Sequence, residues 1–246
     1  MRGWQIFKHS FRMVINNLEA AFRLSAVLYA IQALNQVLVL LASPANAEGA
    51  TVISPGMAFM VLVTSILAIV ASLWIAVAWH RFVLTGEIPD SAVPPWHGGL
   101  ILAYLGRSIM IALLVAVALV AALIPMSAVM TMAPGTGLPL LLILLGLAVY
   151  LFFRFGVLLP AGAIERKMTL REAWAATGKD NNAMFVLTLI VVGMVVAVQL
   201  PAMLNPDPQS LVNLIYSVVV GWFATMIGIS ILTTLYGVFV EGRDID

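Results

Sequence analysis

The sequence predicts an all-α fold, namely a polytopic membrane helix bundle with six transmembrane helices and short interfacial helices on the cytoplasmic side. Of the 246 residues, 63% are hydrophobic and only 9% are charged, and the mean hydropathy is +1.08. Because globular domains carry about 25% charged residues, this chain has too few charges to cover a surface that faces water. Six apolar stretches and the one-sided placement of the basic residues complete the prediction.

Six stretches are long enough to cross a membrane, since a helix needs about 20 apolar residues to span about 30 Å of hydrocarbon. An isolated strand would leave backbone groups unpaired in lipid, so we predict that all six are helices. Proline and glycine interrupt the apolar pattern between several of them, as at Pro134-Gly135 and Pro206. The predicted spans, within a single membrane domain over residues 1–246, are 24–41, 57–79, 108–132, 138–160, 183–204 and 211–240.

The basic residues determine the predicted orientation of the spans. All twelve Lys and Arg residues fall before the first span, in or beside the second and fourth connections, or after the sixth span. The other three connections contain only Glu48 and Asp207 as charged residues. Basic residues concentrate in the cytoplasmic loops of membrane proteins. We therefore expect a multi-pass protein of a bacterial inner membrane with both termini in the cytoplasm.

Residues 4–22 are predicted to form an amphipathic helix ahead of the first span. Aromatic and aliphatic residues recur there at helical spacing, with Lys8 and Arg12 among the polar residues between them. A basic polar face and an aromatic apolar face suit the headgroup region of an anionic leaflet. The alternative is a helix that packs on the cytoplasmic loops of the protein itself.

The fourth connection contains the signature of a short interfacial helix. Thr169 and Glu172 fit a capping box, which predicts a helix that begins near Leu170 and ends at Gly178. Trp174 in this helix would lie at headgroup depth. Basic and indole side chains near the span ends are the predicted lipid and interface anchors, and these are Trp4, Lys8, Arg12, Arg81, Trp96, Arg154, Arg166, Lys167, Arg171 and Trp174.

Polar and small residues inside two spans are predicted to mediate helix packing. Amides within a membrane usually form hydrogen bonds between helices, and small residues allow helices to approach closely. The packing residues are Gln32, Asn35 and Gln36 in the first span and Gly221, Ala224 and Gly228 in the sixth. The alternative for the amides, together with Gln199, is that they line a polar path for a solute.

The sequence contains no motif that predicts catalysis. It has no cysteine, no Walker loop, no nucleophile elbow and no carboxylate pair. Its three histidines lie in separate segments, which does not predict a metal site. We accordingly assign no catalytic residue, metal ligand or cofactor. His80, Arg81 and Glu87 are the residues that an enzyme acting on lipid at the interface would use, but we interpret His80 as an interfacial residue without a catalytic partner.

The order of residues around the fourth connection carries a family resemblance. Arg154-Phe155 is followed by Leu158-Leu159-Pro160, then by Ile164-Glu165, and then by Met168-Thr169-Leu170-Arg171-Glu172-Ala173-Trp174. This order resembles the YciC-like six-span bacterial inner-membrane proteins, and it is similar to the membrane domain that precedes the catalytic domain of some glycerophosphodiester phosphodiesterases. The resemblance implies a helical membrane protein without an established reaction, and no catalytic residue carries over from it.

The function that the sequence favours is that of a non-enzymatic accessory or assembly factor, a module that binds lipid and protein in the inner membrane. Its expected partners are membrane lipids and other membrane proteins of a larger complex, and no nucleic acid. The basic interfacial segments, the short outer connections and the lack of acidic residues within the spans support this interpretation. A channel or carrier for a small or amphipathic solute is the alternative.

Overall fold

The computed structural model describes residues 1–42, 54–88, 91–207 and 210–245, and these residues form an all-α helix bundle. Two short 3₁₀ turns, Pro134–Thr136 and Gly178–Asp180, and a π-helical turn, Gly237–Glu241, accompany the α-helices. The helices are α1 (Arg2–Ile15), α2 (Leu18–Ala42), α3 (Pro55–Thr85), α4 (Gly98–Met132), α5 (Gly137–Gly156), α6 (Leu158–Ala163), α7 (Leu170–Thr177), α8 (Asn181–Leu204) and α9 (Leu211–Tyr236).

The prediction of six membrane-spanning helices is confirmed for the described part of the chain. Six helical segments there are long and apolar enough to cross a membrane, namely α2, α3, α4, α5 with α6, α7 with α8, and α9 with its π-helical turn. The chain is therefore a multi-pass membrane protein. Glu48 and most of the first predicted outer connection lie outside the described residues.

The fourth helix is longer than the sequence predicted. It begins at Gly98 rather than at residue 108, because the residues in between are mostly apolar and no proline interrupts them. With 35 residues it is about 52 Å long, whereas the hydrocarbon core is about 30 Å thick. The helix is therefore about 20 Å longer than the hydrocarbon core is thick.

The amphipathic helix predicted over residues 4–22 is in fact two helices. Helix α1 ends at Ile15, and Leu18 already begins the first span. Asparagine disfavours a helix interior because its side chain competes for backbone hydrogen bonds. Asn17 does so here, since its side-chain amide donates to the Met13 carbonyl oxygen at 2.8 Å. The chain therefore turns at Asn16-Asn17.

Helix α1 packs mainly against the membrane-spanning helices α8 and α9, and its Arg2 also lies 3.9 Å from Asp180 of the fourth connection. One face of α1 is buried, with Ile6 and Val14 fully enclosed. The Ser10 hydroxyl on the same face donates to Thr234 Oγ1 at 2.9 Å. A Cβ added at Gly3 would lie 2.5 Å from the Ala183 carbonyl oxygen, so only glycine allows α1 to approach α8 this closely.

The buried core lies toward one end of the bundle. Three runs are continuously buried there, and they are residues 75–80 at the end of α3, 156–163 around α6, and 229–239 at the end of α9. The other ends of the helices are largely exposed, as at Val117 and Ile124 in α4, which are 70% and 71% exposed. A soluble protein could not expose such a surface, and lipid is its natural solvent.

The capping box predicted in the fourth connection is confirmed. The Thr169 side chain accepts a hydrogen bond from the backbone N–H of Glu172, and the Glu172 carboxylate accepts one from the backbone N–H of Thr169. Helix α7 therefore begins at Leu170, and it ends before Gly178. Asp180 then caps α8 by accepting from the backbone N–H of Ala183 at 2.8 Å.

Replacing Gly3 with alanine should loosen α1 from the bundle. The new methyl group must displace backbone atoms of α8, and overpacking of this kind costs about 1–3 kcal/mol. We expect a lower thermal unfolding midpoint in mild detergent, measured by circular dichroism. Gly106→Ala in α4 is the matched control, because nothing lies within 4 Å of a Cβ there. Equal midpoints for the two variants would contradict the docking of α1.

Candidate functional site

Two neighbouring cavities flank α9, and we call them the lateral cleft and the central cavity. The lateral cleft lies between α8 and α9, encloses about 290 Å³ and has Phe7 of α1 and Gln199 of α8 in its wall. The central cavity lies on the other side of α9, among α3, α4 and α5, and encloses about 430 Å³. Both are partly open, and they share Val191, Ala224, Gly228 and Ile231 as lining residues.

The cavities exist because α9 carries small residues where it faces its neighbours. Gly228 has no side chain, and nothing lies within 4 Å of a Cβ added there. Helix α1 packs against both α8 and α9, whereas α8 and α9 touch each other at few residues. Ala224 and Gly228 therefore border open space, although the sequence predicted close helix packing at both positions.

Gly221 behaves as predicted for a small packing residue. A Cβ at this position would lie 2.8 Å from the Tyr29 hydroxyl oxygen of α2. That hydroxyl donates to the Val218 carbonyl oxygen at 2.9 Å, which holds α2 against α9. The predicted small-residue stripe thus serves close packing at its first member and leaves a cavity at the other two.

The walls of both cavities are mainly hydrocarbon. Gln199 supplies an amide to the lateral cleft, and the central cavity has hydroxyls from Ser72, Tyr104, Ser108 and Thr225. Ligand pockets in proteins typically enclose about 300–1,000 Å³, with apolar walls and a few polar groups. The two cavities are near the lower end of that range, and their chemistry suits a chain-like apolar ligand with few polar atoms.

A buried histidine lies behind the wall of the central cavity. His80 is fully buried, with Nδ1 2.8 Å from Thr233 Oγ1 and Nε2 3.3 Å from the Tyr104 hydroxyl. The Thr233 hydroxyl gives its one proton to the Ile229 carbonyl oxygen at 2.9 Å, so Nδ1 must donate to it. Nε2 of the neutral ring then accepts from Tyr104. This histidine connects α3, α4 and α9 within the core.

Arg81 was predicted to anchor the chain at the lipid interface, but it lies in an ion-pair cluster within the protein. Its Nε donates to Glu87 at 2.6 Å, and its Nη1 donates to the Ala163 carbonyl oxygen at 3.2 Å. His97 binds the other oxygen of Glu87 at 2.7 Å. Burial alone would raise the pKa of Glu87, but the hydrogen bonds from His97 and Arg81 and the charge of Arg81 together hold that pKa below its usual range.

This cluster does not include His80. The imidazole of His80 points into the core, whereas the side chain of Arg81 reaches the segment between α3 and α4. The structure thus brings Arg81 and Glu87 together with His97. This histidine was not predicted to contact either residue. The three residues considered for an interfacial enzyme do not share one site.

Arg154 is buried, although the sequence predicted an anchor that reaches the membrane surface. The side chain is 3% exposed and its guanidinium lies 3.9 Å from the centre of the Trp174 ring. It donates to the Tyr150 hydroxyl, to Asn181 Oδ1 and to the Trp174 carbonyl oxygen. Among the described residues no carboxylate pairs with it, so ring electrons and oriented dipoles stabilise its charge.

Most of the other predicted anchors are exposed. Arg166 donates to the Tyr236 hydroxyl at 3.2 Å, and Trp96 packs edge-on against Trp74 at 4.6 Å between ring centres. Lys8 is half-buried. The exposed anchors are Trp4, Arg12, Trp96, Arg166, Lys167, Arg171 and Trp174.

Two of the three amides of the first span connect helices, and none of the three lines the lateral cleft or the central cavity. Asn35 Oδ1 accepts from Thr64 at 2.9 Å and from Ser65 at 3.1 Å, which joins α2 to α3. Gln36 accepts from Ser217 of α9 at 3.0 Å. Gln32 Nε2 is buried and has no acceptor in the described part of the chain. Of the four amides considered for a solute path, Gln199 alone lines either of the two cavities.

Arg107 lies one residue before the predicted third span, at the end of the second connection, and no individual role was predicted for it. The structure places it in α4, one residue before Ser108 of the central cavity. Its Nη1 is buried and has no hydrogen-bond acceptor among the described residues. The signal that could have found it is the apolar run from Leu100 to Leu105, which continues the helix and brings Arg107 beside the bundle.

Comparisons with protein-family models, with curated proteins and with solved structures gave no match for this chain. The resemblance to the YciC-like proteins stays a prediction. The case for function therefore depends on the cavities and on the charged residues near them.

Replacing Arg154 with lysine should destabilise the packing of α7. Lysine keeps the charge but lacks the planar group that donates to three acceptors and stacks on the indole. Each hydrogen bond of a charged group contributes about 1.5–3 kcal/mol. We expect a lower unfolding midpoint and faster amide hydrogen exchange in α7. The control is Arg171→Lys, an exposed position on the same helix. Unchanged exchange in the Arg154 variant would argue against this role.

Proposed function

We propose that this chain is a non-enzymatic membrane protein that binds the acyl chain of a membrane lipid in the lateral cleft and the central cavity. The observation that carries the proposal is the pair of apolar, partly open cavities on either side of α9. They lie between helices that are long and apolar enough to span a membrane, where lipid is the most abundant molecule. An accessory or assembly role in the membrane follows from such binding.

The lining favours a lipid over a polar solute. The polar groups of the central cavity are hydroxyls and that of the lateral cleft is one amide, whereas a site for a polar solute needs many more partners to replace water. Asn35 and Gln36, which a solute path would use, already bind other helices. A channel or carrier therefore has less support than a lipid-binding module.

We propose further that the protein lies in a bacterial inner membrane with both termini in the cytoplasm. Contacts between basic residues and other segments gather at one end of the bundle. Arg2 is 3.9 Å from Asp180, Arg166 binds Tyr236, and Arg243 donates to the Leu84 carbonyl oxygen at 3.4 Å. The positive-inside rule assigns such an end to the cytoplasm.

Filling the cavities should abolish lipid binding. Gly228 borders both cavities and has free space around its Cβ position, so the side chain of Gly228→Leu would extend into the cavity space. We expect native mass spectrometry of protein purified in mild detergent to detect bound lipid in the wild type and none in Gly228→Leu.

The matched control is Gly193→Leu, which adds the same side chain to an exposed face of α8 where nothing lies within 4 Å. This variant should retain lipid like the wild type. Equal lipid retention in Gly228→Leu and the wild type would refute the proposed site, and a wild type that retains a protein partner but no lipid would refute lipid binding itself.

The orientation predicts the behaviour of a C-terminal fusion. A reporter fused after Asp246 that works only in the cytoplasm should be active, and one that works only in the periplasm should be silent. The measurement is reporter activity in intact bacteria, normalised to the amount of fusion protein. Activity of the periplasmic reporter would reverse the proposed sidedness and leave the cavity proposal unaffected.

A further inference from the structure

We propose that Arg107 binds the phosphate group of a glycerophospholipid whose acyl chain occupies the central cavity. This inference rests on the proposed function and names the chemical class of its ligand. A bilayer is as apolar as the walls of the cavity, so moving an acyl chain from one to the other gains little free energy. A preference for a particular lipid must therefore come from polar contacts at the edge of the cavity.

Arg107 is a cation with an unused donor. Its Nη1 is buried and has no acceptor in the described ranges, and no ion pair there includes it. Arg81 binds Glu87 and Arg166 binds Tyr236. Arg154 binds Asn181 through Nη1, but like Arg107 it has one buried nitrogen, Nε, without an acceptor among the described residues. A buried donor without an acceptor costs about 1–3 kcal/mol, and more when it is charged. An anion at Arg107 would remove that cost.

The backbone beside Arg107 is shaped to admit its guanidinium. A Cβ added at Gly162 of α6 would lie 2.1 Å from Nη1, so any other residue at this position would push the guanidinium away. Gly162 is buried, which places the planar group of Arg107 directly on the backbone of α6. The absence of a side chain at Gly162 thus leaves the space that the guanidinium occupies.

The residues around Arg107 connect it to the central cavity. Tyr104 and Ser108 of α4 line that cavity, and so does Leu159, one turn before Gly162 in α6. Arg107 itself does not line the cavity. It is the neighbour of Ser108 in α4, and its guanidinium lies beside Gly162 of α6, so it is placed between two helices that both contribute to the wall. A phosphate at Arg107 and an acyl chain among these residues would belong to one molecule.

Arg107 lies near the end of α4 that the positive-inside rule assigns to the cytoplasmic membrane surface, where lipid phosphates lie. Arg107 is nine residues from the start of α4, which is about 14 Å along a helix that exceeds the hydrocarbon thickness by about 20 Å. Arginine binds phosphate oxygens through two parallel N–H donors, and this geometry applies equally to a lipid phosphate and to free phosphate. The adjoining apolar cavity favours the lipid.

The test compares two lipids that share their acyl chains. Dioleoyl phosphatidylglycerol and dioleoylglycerol are titrated separately into detergent-solubilised full-length protein, and the bound fraction is measured by native mass spectrometry. Inorganic phosphate, followed by its effect on thermal unfolding, is the third probe. We expect the wild type to bind the phospholipid about tenfold more tightly than the diacylglycerol, as expected when a charged hydrogen bond is added.

Arg107→Gln should remove this preference and leave binding of the diacylglycerol unchanged. Arg171→Gln, which removes an exposed cation from α7, is the matched control and should keep the preference. Arg107→Lys keeps the charge and serves if the glutamine variant does not fold. Because lysine lacks the planar pair of donors, it should weaken binding of the phospholipid alone.

The outcomes separate this inference from the function on which it rests. Equal binding of the two lipids to the wild type, or an unchanged preference in both Arg107 variants, would overturn the role of Arg107 and leave the cavity proposal standing. Binding of neither lipid would overturn both. Stabilisation by inorganic phosphate that depends on Arg107, without preference for the phospholipid, would identify a site for free anions and reject the lipid headgroup.

Discussion

The docking of α1 against α8 and α9 is the contact on which the lateral cleft depends. The absent side chain of Gly3 lets α1 lie against the first turn of α8, and Ser10 binds Thr234 near the end of α9. Because α1 occupies this end, α8 and α9 cannot close on each other along their length. The space that results is bordered by Phe7 of α1 and by Gly228 of α9. An amphipathic helix outside the spans thus determines how two of the spans are arranged.

The need to stabilise the positive charges of arginines near the bundle is the second constraint on the structure. The predicted spans contain no acidic residue, so a cation near the bundle must find its partners elsewhere. Arg81 finds Glu87 in a connection, and Arg154 is stabilised by an indole ring and by carbonyl, hydroxyl and amide oxygens. For Arg107 the described residues supply no such partner at Nη1. In the proposal made for Arg107, the phosphate group of a lipid supplies the missing partner.

The comparison of Arg154 with Arg171 explains why the predicted anchors were only partly right. Both are basic residues near a span end, and the sequence predicted the same role for both. Arg171 is exposed, whereas Arg154 is buried beneath α7. The difference arises because α7 folds back over α5, which brings the Trp174 carbonyl oxygen and ring to the guanidinium. Contacts between residues 20 apart in sequence are not visible in a local pattern of charge.

The long helices and the start of α7 depend only on segment length and local chemistry, so they follow from the sequence alone. A chain of this composition must form long helices, because the hydrocarbon is thick and unpaired backbone groups are costly in it. The Thr169–Glu172 capping box starts α7 through local hydrogen bonds alone. Which helix faces pack against each other depends on the tertiary structure. Lipid and protein interior are equally apolar, so the hydropathy of Ala224 and Gly228 cannot distinguish a packed surface from the edge of a cavity. Only the positions of α1, α3 and α8 around α9 make that distinction.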